Sequence, residues 1–286
     1  NLGFFNELLL SLKLNQMPIF QNMDLSIDRT VADNNQRSNL LKGFKSTNDF
    51  ENFLIKITCN HLPFLFLEKF SELEKNMKNK NLPLKPIKIF SSYGLWSDTA
   101  MNYYCAQKIE NKTKLFYGQH GGTYGIAQTH FQTDYEIDVA DKYLNWGWKK
   151  KSKKIINFGK IQKIKKLKFK IDDQKNLLFI INKRHKYSTF LNSSLNESID
   201  FLALLKFNSK FLTNLSGKVR DKIIIRPMPG SNFANNYDFF GNLEKNYKTD
   251  NESNITKLYK KSKLVVHTLN STSLIETLSL NLPTIV

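Results

Sequence analysis

Residues 267–286, HTLNSTSLIETLSLNLPTIV, constrain the fold of this chain more than any other stretch. Residues 263–268 (KLVVHT) read as a buried strand, and a small polar turn follows at Asn270, Ser271, Thr272 and Ser273. Leu274, Ile275 and Leu278 then form a short apolar helical face, and a second strand is expected from Pro283. A strand running through a hydroxyl-rich turn into a helix start is where an α/β protein holds a phosphate. The first backbone N–H groups of the helix lack intrahelical partners, and the helix dipole favours an anion beside them.

The rest of the chain fits the same class. With 286 residues, two domains are the natural expectation, and a 41% apolar share is enough to build their cores. Residues 1–86 read as a helical N-terminal region, with apolar residues at helical spacing in 4–14, 50–57 and 62–77. From residue 87 the pattern alternates. Strands are expected at 87–91 (IKIFS), 115–118 (LFYG), 143–148 (YLNWGW) and 155–158 (IINF). A helix is expected over 98–109, with Ser97 or Asp98 as its N-cap. Strands alternating with helices imply a parallel sheet. The alternation restarts at 176–182 (NLLFIIN), a nearly all-apolar strand of the kind buried on both faces. It continues through a helix at 194–215, a strand at 222–226 (KIIIR) and a short helix at 254–262. The expected plan is two Rossmann-like domains: 87–160, helped by part of 1–86, and 176–286, joined by a basic linker at 161–175. The chain begins at Asn1 and stops at Val286 inside an expected strand, so it is expected to be a fragment whose C-terminal domain is incomplete.

Composition narrows the function classes. No run reaches about 18 uninterrupted apolar residues, so no transmembrane helix is expected. No secretory signal pattern opens the chain. Cys59 and Cys105, the only cysteines, are expected to be buried thiols in a reducing cytoplasm. The net charge of +18 favours anionic partners, although a bias toward Lys, Asn, Ile and Phe gives the same balance without selection for binding. Eleven lysines between Lys149 and Lys170, with no acidic residue among them, read either as a solvated linker or as a patch facing membrane or phosphate.

Several constellations are candidates for chemistry. Gln119, His120, Gly121 and Gly122 lie in GQHGGTYG (118–125), after an expected strand. The glycines allow close approach, and the histidine is either a general base at a strand end or a hydrogen-bonded turn residue. Glu136, with Asp138 and Asp141 near it, is either a carboxylate in a cleft or part of a solvated acidic surface. Trp146 and Trp148 read as core packing or as a stacking platform. Arg226, at the end of KIIIR, is placed to clamp a phosphate, with Arg184 and His185 as weaker candidates in the preceding unit. In the tail, Ser271, Thr272 and Ser273 offer hydroxyls and N–H groups, while Glu276 is a ribose ligand or the far end of a capping box, Ser273-x-x-Glu276. No HExxH, CxxC or Asp-x-Asp motif occurs, so no metal site is expected.

GQHGGTYG (118–125), then Glu136, then ADKYLNWGW (140–148), then NSTSLIETLSLNLPTIV (270–286) resemble a group of bacterial surface-polysaccharide transferases. That group is distantly similar to the capsule-type Kdo transferases and the CDP-glycerol glycerophosphotransferases. The resemblance covers about residues 87–286 and leaves the first 86 unassigned. It implies a GT-B architecture with an N-terminal acceptor domain and a C-terminal nucleotide-donor domain. His120 would be the acceptor-side base or phosphate contact, and Glu136 is a second catalytic candidate. Asn270, Ser271, Thr272 and Ser273 would hold the donor phosphate, Glu276 the ribose, and Arg226 the leaving phosphate. Members of the capsule group often carry a His-Pro pair where this chain has Arg226-Pro227, which leaves a two-histidine mechanism and the donor open. No cofactor is implied. The donor is a nucleotide sugar, CMP- or CDP-linked, and the acceptor a glycan or lipid-linked glycan at the inner face of the membrane. Two alternatives stay open: a nucleotide-sugar epimerase of the same fold, and a basic nucleic-acid- or membrane-binding protein without catalysis.

Overall fold

The structure, a computed structural model, describes residues 4–13, 23, 25–95, 98–125, 130–159, 176–181, 199–227, 247–250 and 254–286. It divides into two compact units: Asn1–His120 with Phe131–Ile161, and Gly121–His130 with Gln162–Val286. The class is α/β, with one parallel sheet in each unit, as the alternation of strands and helices implies.

The first unit opens with helices α1 (Phe4–Lys13), α2 (Asn34–Leu40), α3 (Asp49–His61) and α4 (Phe70–Lys78). α2 (NNQRSNL) carries no apolar stripe, and its buried residue is Arg37. Arg37 Nε and Nη2 donate to the two carboxylate oxygens of Glu68 at 2.6 and 3.0 Å, and Nη1 donates to Cys59 O at 2.7 Å. A fork-to-fork pair thus ties α2 to α3 and to the segment before α4. The run 62–77, which reads as one helix, is broken: Pro63 precedes a 3-10 turn at Phe64–Phe66, and α4 starts only at Phe70.

β1 (Lys88–Ser91) leads into α5 (Thr99–Glu110), whose N-cap Asp98 accepts from Met101 N at 3.0 Å. β2 (Lys114–Gly118), α6 (Phe131–Val139), β3 (Lys142–Asn145) and β4 (Ile155–Asn157) follow. The sheet runs β1-β2-β3-β4, parallel at every pairing. Asp141 pins the start of β2: its carboxylate pairs with Lys114 Nζ and accepts from Leu115 N, both at 2.9 Å. That bond to Lys114 holds its pKa below the usual carboxylate value. Cys105 is buried and its thiol is pushed up to about 11, whereas Cys59 is only half-buried, a departure from the expected pair of buried thiols.

The second unit contains β5 (Asn176–Ile181), α7 (Ile199–Thr213), α8 (Gly217–Arg220), β6 (Ile223–Pro227) and β7 (Lys248–Thr249). These are followed by α9 (Ile255–Lys260), β8 (Ser262–His267), α10 (Thr272–Ser279) and β9 (Thr284–Ile285). Its parallel strand order is β7-β6-β5-β8-β9, the Rossmann 3-2-1-4-5 arrangement. β5 is buried on both faces, as its apolar run requires. Phe179 and Ile181 pack with Leu205 and Leu212 of α7 on one side, and Leu178 packs with Leu258, Tyr259 and Leu280 on the other. Among the described residues, no helix is long and apolar enough to cross a membrane.

The Arg37–Glu68 pair sets an acid limit on the first unit. The Arg37 bond holds the Glu68 carboxyl down to about 2, against an ordinary value of 4.5. A depressed carboxylate contributes stability above its unfolded pKa and loses it as pH falls toward the folded value. Denaturant midpoints measured from pH 6 to 2 are therefore expected to drop between about pH 4.5 and 2. Glu68→Gln should lower the midpoint at pH 6 and flatten that drop.

Candidate functional site

In the second unit the strand order turns back at β5. β6 and β7 extend to one side of it, while β8 and β9 lie on the other. In open α/β sheets, ligands bind outside the carboxyl ends of the strands at such a switch point. Here those ends are Ile181 of β5 and His267 of β8, and the turn leaving β8 is Thr268 to Ser271. Thr268 is bound back to β5: its N–H and its hydroxyl both donate to Ile180 O at 3.2 Å. The polar turn singled out in the sequence therefore sits where the topology predicts a ligand.

α10 begins at Thr272, and its N-cap is Ser271, not the Ser273 of the expected capping box. Glu276 is then too far along the helix for the third-position role such a box needs. Its Oε2 accepts from the buried Tyr259 hydroxyl at 3.2 Å. Burial, with the Glu276 charge beside it, pushes the Tyr259 phenol well above the ordinary tyrosine value. The Ser271 side chain makes no cap hydrogen bond and lies 2.7 Å from Ser273 Oγ. Ser273 Oγ is 3.2 Å from His267 Nδ1, and His267 Nε2 is 3.1 Å from Thr277 Oγ1. Asn270 is exposed. His267, which is not among the candidates the sequence suggests, is the buried centre of this cluster; a histidine closing an otherwise apolar strand is the available signal.

Arg226 ends β6 in a buried position, and Nη1 donates to Asp250 O at 3.1 Å. It makes no ion pair among the described residues. Both Arg226 and His267 stand in register with Ile180, one on each side of it, and so share a face of the sheet. Arg184 and His185 lie outside the described residues.

Residues 121–125 belong to the second unit. Gly122 N donates to Thr272 Oγ1 at 3.2 Å. A Cβ on Gly122 would stand 2.5 Å from Ser271 O and 2.7 Å from Thr272 N. This glycine is therefore required for backbone approach to the start of α10. Gly121 faces the Tyr124 ring, which packs against His130.

In the first unit, His120 follows β2 with its side chain one-quarter exposed, and Nδ1 lies 3.8 Å from Glu136 Oε1. Glu136 is fully buried on α6, neither in an open cleft nor on a solvated surface, and its Oε2 accepts from Tyr143 OH at 3.1 Å. Burial, reinforced by the Glu136 charge, raises the Tyr117 and Tyr143 phenols far above their ordinary value. Tyr93 meets the His120 ring edge-on at 5.5 Å. Gln119 is buried, and its Oε1 accepts from Trp146 N at 3.0 Å and Trp148 Nε1 at 2.8 Å. The WGW segment is thus a turn after β3, with Gly147 at φ 116°, rather than strand. It is braced from behind by the residue preceding His120. Asp138 is exposed, and Asp141 is occupied in pinning β2. Among the described residues, no group of three or more His, Cys, Asp or Glu is placed to hold a metal ion.

Residues 4–286 match the LIC12162 family transferase. The chain belongs to that family of transferases. The family match takes in nearly all of the first 86 residues, which the sequence resemblance left unassigned. The chain is also similar to the crystal structure of MurG from Acinetobacter baumannii, at 10% identity and a TM-score of 0.39. That similarity covers 74% of this chain and 54% of the other, so the chain spans about half the length of that protein. No curated protein matches the chain.

The close approach of Gly122 yields a direct check. Gly122→Ala forces a methyl group against backbone and is expected to cost about 1–3 kcal/mol. Urea unfolding should show the lowered midpoint, and Thr123→Ala at the exposed neighbouring position should leave it in place.

Proposed function

We propose that this transferase moves a sugar, or a sugar-like group, from a nucleotide-activated donor to a cell-surface glycan acceptor. The observation that carries the reading is the uncapped start of α10 at the switch point of a Rossmann-ordered sheet, with buried Arg226 on the same sheet. The second unit would bind the donor. First-turn N–H groups of α10 and the Arg226 guanidinium would take the phosphate charge, and Glu276 the ribose. Charge stabilisation there would come from side chains and the helix dipole rather than from a metal ion.

The first unit would bind the acceptor. His120 would accept the proton of the attacking hydroxyl as its oxygen bonds to the anomeric carbon. The bond from that carbon to the nucleotide phosphate breaks, and the electron pair leaves with the phosphate. Glu136 has no solvent-facing surface, so its role is to hold and balance the His120 ring, with Tyr143 fixing the carboxylate in turn. The net charge of +18 supports work at an anionic membrane face, where lipid-linked acceptors sit.

The test is a thermal-shift panel on the full chain with CMP, CDP, UDP, GDP and dTDP. A selective rise in melting temperature, lost in Arg226→Ala, is the expected result, because a ligand at a hundred times its Kd stabilises by about 2.7 kcal/mol. No shift with any of the five removes the donor site. With the selected nucleotide sugar, His120→Ala should retain donor binding and lose about 10²–10⁴-fold in turnover. Conversion of the nucleotide sugar without an acceptor would make the enzyme an epimerase instead.

A further inference from the structure

The hydroxyl cluster around His267 has a direction. Thr277 Oγ1 donates its only proton to Leu274 O at 2.9 Å, so toward His267 it can only accept. Nε2 of His267 must therefore carry a hydrogen, and Nδ1 must be the bare acceptor. Burial lowers the His267 pKa to about 4, which keeps the ring neutral near pH 7 and Nδ1 free to accept. The Ser273 hydroxyl then donates to Nδ1, and its oxygen receives the proton of Ser271. Every proton in the series points inward, from the turn to the histidine and on into α10.

A serine at an N-cap ordinarily turns its oxygen onto the N–H of the second or third helical residue. Ser271 does not, because its oxygen is held toward Ser273. Leu274 N reaches Ser271 O instead, and the Ser271 side chain makes no cap hydrogen bond. On the same face of the sheet lies the buried Arg226, a cation with no ion pair among the described residues. Arg226 Nη1 donates to Asp250 O, and the two positive features arise independently, one on β6 and one after β8.

We infer that His267 is a positioning residue of the donor site: by ordering the Ser273 and Ser271 hydroxyls it holds the N-cap side chain off the first-turn N–H groups of α10, which are left for the donor phosphate. This rests on the donor reading given under Proposed function. It also revises the role of the serines. Their hydroxyl protons are committed inward and Gly122 lies against Thr272 N, so the backbone N–H of Ser273, not the hydroxyls of Ser271 and Ser273, does the donating.

Long-range ¹H–¹⁵N NMR of the full wild-type chain at pH 7 reads the tautomer directly. A protonated Nε2 with a bare Nδ1 is expected; an Nδ1–H tautomer or an imidazolium overturns the relay. Calorimetry with inorganic pyrophosphate and with the five nucleotides reads the consequence. An asparagine amide oxygen falls near the Nδ1 position and a glutamine amide near Nε2. His267→Asn should keep wild-type affinity, while His267→Gln and His267→Leu should weaken binding about fivefold, the equivalent of one helix cap. Ser273→Ala cuts the same link without touching the buried ring, and should weaken binding equally if the leucine variant does not fold. Wild-type binding matched by the leucine, glutamine and Ser273→Ala variants alike removes the positioning role and leaves the donor site standing. Failure of the wild type to bind pyrophosphate or any nucleotide removes the donor site itself, and the positioning role with it.

Discussion

Parallel pairing is the constraint on which the rest depends. Every neighbouring pair of strands in both sheets is parallel. Two parallel strands cannot be joined by a tight turn, so each connection crosses back along the sheet. All carboxyl ends of a sheet then open on one edge, and the polar residues that follow them collect there. Gly118, Asn145, Arg226 and His267 close or nearly close four such strands, and the residues carrying the proposed chemistry come directly after or at those ends. The apolar runs that allow β5 to be buried on both faces also force this placement, since a strand packed above and below has only its ends free for function.

On the proposed donor reading, stability and function would compete for the same atoms within the second unit. A capped α10 would be the more stable helix, with an N-cap serine worth about 1 kcal/mol over an uncapped start. The chain places serine there and then withholds it through Ser273 and His267. The same tension recurs at Arg226, where a guanidinium is buried without a carboxylate among the described residues. A buried guanidinium held by a carbonyl oxygen, as Arg226 is by Asp250 O, is costlier than one paired with a carboxylate. On the proposed donor reading both costs would fall when an anion binds, which would link ligand binding and local stability through one set of groups.

How much of this was legible in the sequence depends on where the signal is local. β5, β6 and β8 announce themselves because all-apolar runs bounded by polar residues have few other uses. α5 was placed within a residue because Asp98 is a cap that works through its own neighbour three residues on. By contrast, α6 (FQTDYEIDV) carries no helical signal in its sequence. Its buried face is Thr133, Glu136 and Ile137, and a face containing a carboxylate shows no apolar period. The ion pair of Arg37 with Glu68, 31 residues apart, leaves no local trace at all. The cap of α10 lies two residues before the Ser273 of the capping box because three successive hydroxyl residues offer overlapping caps. Only the position of His267 in three dimensions selects among them.

The two histidines show how alike sequence contexts acquire opposite chemistry. Each lies at or just past the carboxyl end of a parallel strand, ahead of a turn rich in glycine or serine. His120 keeps one-quarter of its side chain exposed and faces a buried carboxylate, so a ring that gains a proton finds an opposite charge behind it. A group so placed can take up a proton in one step and return it in the next. His267 is buried among hydroxyls that satisfy one donor and one acceptor. A neutral ring meets that pattern completely, whereas a charged ring would require the Ser273 hydroxyl to reverse its proton. The proposed base would need the first kind of environment and the proposed anion site the second, and the two rings differ in what is packed behind the imidazole: Glu136 on α6 in one unit, Thr277 on α10 in the other.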